Sequence, residues 1–162
     1  MDRLWSPWRY RYIRDASPKD ACIFCEKPRE NRDAENFILF RGARNFVLLN
    51  LFPYTTGHLM IAPYEHAATL EAAHPDTLAE LMRLTRTAEK HLRKVYQPDG
   101  LNLGMNIGAS AGAGIAGHIH MHVLPRWTGD ANFMTTVGET RVLPEDLPAT
   151  YEKLLAAFRS GA

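Results

Sequence analysis

The 162-residue sequence has no apolar run approaching the ~20 residues that a membrane-spanning helix needs. Its first residues, Met1-Asp2-Arg3-Leu4-Trp5, hold no apolar signal core. A formal charge of +1 gives no whole-protein field for nucleic acid or a membrane surface, although it leaves room for a local anion pocket. No internal repeat or low-complexity linker divides the chain. These absences point to a cytoplasmic protein whose partners are neither nucleic acid nor membrane. Cysteine is scarce too, with only Cys22 and Cys25, in Cys22-Ile23-Phe24-Cys25. In a reducing compartment that spacing reads as half a metal site or as a redox pair. A thioredoxin-like pair should open a helix after a strand, and nothing before Cys22 reads as one. Metal is therefore the better reading, provided that two more ligands arrive from elsewhere.

What is present is ordinary for a globular chain: 46% hydrophobic and 23% charged residues. The length suits one domain, residues 1–162, burying roughly 70% of its unfolded surface. Residues 1–20 form an arm in which Trp5, Trp8, Tyr10 and Tyr12 alternate with Arg3, Arg9, Arg11 and Arg14. The arm is read as packing on the domain or across a dimer interface, with an arginine reaching a polyphosphate as the minority reading. Residues 21–142 form the core and 143–162 a C-terminal helical segment. Within the core, the apolar runs 36–41 and 45–50 flank Gly42-Ala43-Arg44 as a hairpin. A turn at 53–57 leads to a strand at 58–62, closed by Pro63. His74 and Pro75 then suit the N-cap and first position of a long helix. Its apolar face would be Leu78, Leu81, Met82, Thr85, Ala88, Leu92 and Val95, with His74 and His91 at the surface. Pro98-Asp99-Gly100 ends it, and residues 101–107 alternate again. Residues 144–158 carry Leu147, Tyr151, Leu154, Leu155 and Phe158 on one helical face. The expected fold class is α+β: an antiparallel sheet of about five strands, a long helix packed on one face, and a C-terminal helix.

The chain is organised around Gly117-His118-Ile119-His120-Met121-His122-Val123-Leu124-Pro125, whose alternation is that of a half-buried strand. His118, His120 and His122 would share one face, while Ile119, Met121 and Val123 enter the core. Three imidazoles buried together without partners are costly, and histidine can serve as nucleophile, acid, base or ligand. Just before them runs Asn106-Ile-Gly-Ala-Ser-Ala-Gly-Ala-Gly-Ile-Ala-Gly117, made almost entirely of small residues. Such a loop, including Gly112 and Gly114, lets backbone N–H groups approach a phosphate, and Asn106 and Ser110 can add side-chain donors. An imidazole beside bound phosphate suggests nucleophilic catalysis at phosphorus.

This stretch resembles the His-x-His-x-His-x-x motif of the histidine triad (HIT) superfamily of nucleotide hydrolases and transferases. The glycine-rich string and Pro125-Arg126-Trp127 are similar to a bacterial branch that includes diadenosine tetraphosphate phosphorylases. The resemblance runs from Leu4-Trp5 to about Val142. It implies the HIT fold, a homodimer, and a nucleotide substrate. It assigns the nucleophile to His120, which would form a nucleotidyl-histidine, and a hydrogen bond to the phosphate or leaving oxygen to His122. It places Asn50 on the ribose hydroxyls and His58 close to the triad, where a structural role is equally open. Leu48, Leu49 and Leu51 would offer apolar surface to the base or simply be core. It also implies a structural zinc held by Cys22, Cys25, His66 and His118, a closed tetrahedral set that stabilises rather than catalyses. A divalent cation is expected to accompany the nucleotide.

One departure bears on the acceptor. Many HIT hydrolases carry Gly-Gln-Ser/Thr before the first triad histidine, whereas this chain has Gly112-Ala113-Gly114-Ile115-Ala116-Gly117. Without the glutamine, the loop favours an anionic acceptor over an ordered water. The phosphorylase-like branch shares the glutamine-free loop, although it can carry a serine where Gly114 stands. Arg126 and Trp127 could close the acceptor pocket, with a structural anchor the equal alternative for Trp127. The expected activity is phosphorolysis of a dinucleoside polyphosphate, diadenosine tetraphosphate and phosphate giving ADP and ATP. The alternatives are a HIT hydrolase of dinucleoside polyphosphates or nucleoside phosphoramidates, and a non-catalytic nucleotide-binding protein. The intact triad and Asn50 speak against the last.

Overall fold

Short, leucine-rich apolar runs, cut by turns, build the sheet in a computed structural model that describes residues 22–140 and 142–160. The aromatic and basic arm lies outside the described residues. The strands are β1 (Ile38–Arg41), β2 (Asn45–Leu49), β3 (Leu59–Pro63), β4 (Gly100–Gly104) and β5 (Met121–Arg126). All neighbours pair antiparallel, in the order β1-β2-β3-β5-β4. The helices are α1 (Ile23–Glu26), α2 (Pro75–Tyr96), α3 (Phe133–Thr136) and α4 (Leu147–Ser160). This is the α+β arrangement expected from the pattern.

Helix α2 starts where the sequence places it. His74 is extended at the N-cap, its Nδ1 accepts the Asp76 N–H, and Pro75 fills the first turn. It stops at Gln97, in the left-handed region with φ 47°. Helix α4 begins at Leu147 rather than at Pro144, because Asp146 Oδ1 accepts the Ala149 N–H at 2.8 Å and caps it there.

Both faces of the central strands are buried. One face sets Leu39, Val47, Leu49, Leu59, Ile61 and Val123 against Leu81, Leu84, Ala88 and Leu92 of α2 and Tyr151, Leu154 and Phe158 of α4. Each fully buried Val, Leu or Ile among them is worth ~1.5–3 kcal/mol against exposure. Packing on sheet and α4 together turns the buried side of α2: Thr77, Leu84 and His91 are inside, whereas Met82 is 56% exposed. His91 is therefore not a surface residue; its ring packs 4.5 Å from that of Phe158. The other face of the sheet gathers Ile38, Phe46, Leu48, Met60 and Ala62 under Phe24 of α1, with Ile115 from the glycine-rich loop beside them.

The histidine segment departs from a regular strand. β5 begins only at Met121, because the preceding backbone is tied to loops: His118 N–H bonds Ile115 O, and Ile119 N–H bonds Ala67 O. Ile119 packs with Ala67 and Ala73 instead of joining the helix-covered core.

Candidate active site

The register across the sheet carries one row of side chains, Ile38–Leu48–Met60–His122, and ends opposite Gly104 on the edge strand β4. The row is apolar up to His122. Gly104 has open space where a Cβ would stand, so the imidazole keeps room beside it.

Proton positions follow from partners that can only donate or only accept. The Tyr54 backbone N–H donates to His58 Nδ1 at 3.1 Å, so the His58 proton is on Nε2. His58 Nε2–H then donates to His122 Nδ1 at 2.8 Å, and His122 carries its own proton on Nε2. That leaves His122 a neutral imidazole with a spare donor. His120 Nδ1–H donates to the His118 carbonyl at 2.9 Å, which leaves Nε2 as an unprotonated lone pair. Burial holds the cluster neutral. It pushes His58 down to about 3, assisted by the neighbouring His122 and His120. It pushes His122 down to about 4 with help from His120, and lowers His120 against the opposing bond to His118. A neutral, oriented imidazole with a free nitrogen is the species that attacks phosphorus.

Two features of the cluster are not legible in the motif. Phe24, 1% exposed, sets its ring 4.8 Å from that of His120 and 5.3 Å from that of His118. His122 presents a ring at 71° on His120, also at 4.8 Å. The only sequence signal for Phe24 is its place between the two cysteines. For Tyr54, whose N–H sets the His58 tautomer, the Pro53-Tyr54 turn gives none.

Cys22, Cys25, His66 and His118 converge, with one ligand atom from each lying within 4.8 Å of the others. Sγ to Nδ1 distances are 3.3 Å for Cys22–His118, 3.4 Å for Cys25–His66 and 3.6 Å for Cys25–His118. Zinc bond lengths of about 2.3 Å to sulfur and 2.0–2.1 Å to nitrogen give a tetrahedral edge of about 3.6 Å, so this donor set fits the ion. His118 Nε2–H donates to the Pro63 carbonyl at 3.0 Å, which turns the Nδ1 lone pair toward the sulfurs. Without a metal, burial and Cys22 raise the Cys25 thiol above its usual value; a bound cation reverses that order and takes the thiolate.

The remaining candidates are placed as follows. Asn50, half-buried, lies just past β2. Its Oδ1 accepts the Phe52 N–H at 3.0 Å, and its Nδ2 stands 3.4 Å from His58 Nδ1, so it shapes the loop that holds the histidine. Leu48 and Leu49 are buried on opposite faces, and Leu51 is exposed. In the glycine-rich loop, a 3-10 turn at Ala109–Ala111 engages the N–H groups of Ala111, Gly112 and Ala113 with the carbonyls of Gly108 and Ala109. The Gly112 N–H is thus committed to Ala109. Gly114 and Ser110 are exposed and Asn106 is half-buried. The loop closes on the metal-binding side, where Gly117 would bring a Cβ to 3.6 Å from His66 Nε2. Trp127 is not brought to the histidines within this chain. It lies past the end of β5, about 16 Å along the strand from His122, and packs edge-on to Tyr96. Arg126 is likewise occupied, forked on Asp130 with Asn102 beside it.

A five-stranded antiparallel sheet bearing this histidine cluster defines a class, and residues 31–129 match the HIT domain family model. The chain belongs to the HIT family. It is 41% identical over 96% of its length to a Mycobacterium tuberculosis protein named AP-4-A phosphorylase, of which the match spans 83%. Among solved structures it is similar to a zinc-bound histidine triad family protein from Mycobacterium smegmatis. The TM-score is 0.71 at 27% identity, covering 87% of this chain and 95% of that one. A protein from Sulfolobus tokodaii described as a hypothetical histidine triad nucleotide-binding protein superposes with a TM-score of 0.66 at 30% identity, over 86% and 90% of the two chains.

Proposed function

We propose that this chain is a nucleotidyltransferase that phosphorolyses dinucleoside polyphosphates, diadenosine tetraphosphate in the first place, through a nucleotidyl-histidine on His120. The observation that carries the chemistry is the His120 Nδ1–H bond to the His118 carbonyl, which leaves Nε2 free to attack. The identity to a protein named AP-4-A phosphorylase and the glutamine-free loop support phosphate as acceptor.

His120 Nε2 attacks one α-phosphorus; the N–P bond forms and the P–O bond to the outgoing ATP breaks. His122 Nε2–H donates to the departing oxygen, a contact that strengthens as charge develops there. Phosphate then attacks the same phosphorus, the N–P bond breaks, and ADP leaves with His120 neutral again. Splitting the displacement gives two easier steps. Asn106, Ser110, Gly112 and Gly114 would line the polyphosphate, Asn50 the ribose, with His58 holding His122. A divalent cation would screen the phosphates. Trp127 would have to act at a neighbouring site, which a homodimer could supply.

Cys22, Cys25, His66 and His118 would hold one zinc, closing the fold around the triad without an open coordination position. The chain is read as one cytoplasmic domain. The test is product analysis of diadenosine tetraphosphate turnover with and without phosphate. Phosphate should raise the rate and give ADP plus ATP. AMP plus ATP at millimolar phosphate would make the protein a hydrolase.

A further inference from the structure

We propose that Phe24 is a positioning residue for the nucleophile, clamped against His120 by the two metal-binding cysteines that flank it. The inference rests on the reading of His120 as nucleophile. Helix α1 is a single turn of four residues, too short to be stable by itself. Its place is set by Cys22 and Cys25 at the metal-binding cluster and by Phe24 in the apolar cluster beneath. The Phe24 ring lies 4.8 Å from the His120 ring at 37°, on an imidazole that also meets His122 at 71°. One hydrogen bond at Nδ1 fixes one atom of the ring, but the terminal torsion of histidine is broad. A wall is needed to stop the ring rocking about that bond, and Phe24 supplies it. His118 couples the two sites a second time, because its side chain faces the cysteines while its carbonyl holds His120. The metal-binding motif is thus built to aim Nε2 as well as to stabilise the fold.

The test is Phe24→Leu, which keeps an apolar side chain at the site and removes the flat face. Zinc content, thermal midpoint, single-turnover transfer of label from an α-³²P donor to His120, and the ¹⁵N–¹H signal of His120 Nδ1 are measured on the full chain. One zinc per chain should remain, while kcat and the labelling rate fall together by ~10–100-fold with KM little changed, the scale of a misplaced reacting group. The Nδ1–H signal should broaden. In chelator-stripped protein the same substitution should cost little more, because the clamp is already released. If the stripped protein unfolds, the zinc-loaded variant decides alone. Labelling at the wild-type rate, with full zinc and only a lowered midpoint, overturns the proposal and leaves Phe24 as core. Failure of the wild-type protein to label at all would instead overturn the nucleophile assignment.

Discussion

Replacing His58 by leucine tests the proton chain that orients His122. His58 is 1% exposed, receives the Tyr54 N–H and donates to His122 Nδ1 at 2.8 Å. Leucine removes both bonds, taking these partners from a part-buried N–H and a part-buried ring nitrogen, at a cost in the lower part of the range for an unsatisfied group, about 1–2 kcal/mol each. At ~2–4 °C per kcal/mol for a chain of this size, the thermal midpoint should fall by roughly 5–15 °C. The kinetic effect is separate. His122 no longer has its proton held on Nε2, so its donor to the leaving oxygen is lost from part of the population and from the fixed geometry. Loss of one such preorganised donor lowers kcat by ~10²–10³-fold. His58→Gln is the control, since its amide can still donate to His122 and should recover part of kcat. The assay is steady-state phosphorolysis at a temperature where both variants are folded, with kcat and KM determined separately. A leucine variant that is destabilised yet turns over at the wild-type kcat would refute the chain of tautomers.

The same histidines give a pH dependence of stability. His58 and His122 are ordinary at 6.5 when unfolded and are lowered to about 3 and about 4 in the fold, so between those values the unfolded state binds more protons. Their contribution is present above pH 6.5 and is lost as pH falls toward 4. His58 alone gives a slope of up to about 1.4 kcal/mol per pH unit, so urea midpoints of wild type and His58→Leu should converge over that range; a constant difference would contradict it. Elemental analysis of protein purified without chelator should find one zinc per chain. Cys25→Ser should lose it and about 10 °C of thermal midpoint, whereas metal-free wild-type protein would refute the site. Ala113→Gln places an amide in the loop and should raise the AMP-to-ADP product ratio at fixed phosphate; an unchanged ratio would remove the loop from acceptor choice.

The elements that the sequence announces are those with a local cause. Proline, glycine and capping side chains punctuate the chain at His74-Pro75 and around the β1–β2 hairpin, and the strands form between them. What was not legible is set by contacts distant in sequence. His91 looks like a surface histidine until α4 brings Phe158 onto it. Met82 fits the helical face by period, yet α2 packs on two partners and turns Leu84 inward instead. Alternation predicts a strand from Gly117, but loop carbonyls at Ile115 and Ala67 take the backbone N–H groups first. Trp127 is open in the sequence between closing an acceptor pocket and anchoring structure, and only the fold shows that strand geometry sets it about 16 Å along β5 from His122, edge-on to Tyr96. The metal-binding quartet is legible only through the family resemblance, since nothing in the spacing of Cys22 and Cys25 says which histidines come to meet them.

The central claim is a covalent bond between His120 Nε2 and the α-phosphorus. Protein mixed in excess with α-³²P-labelled diadenosine tetraphosphate, without phosphate, is quenched within one turnover and digested for mass spectrometry. An acid-labile, alkali-stable nucleotidyl adduct is expected on the peptide containing His120, absent from His120→Gly and discharged to ADP when phosphate is added. Turnover with no adduct on His120, or wild-type turnover by His120→Gly, would contradict it.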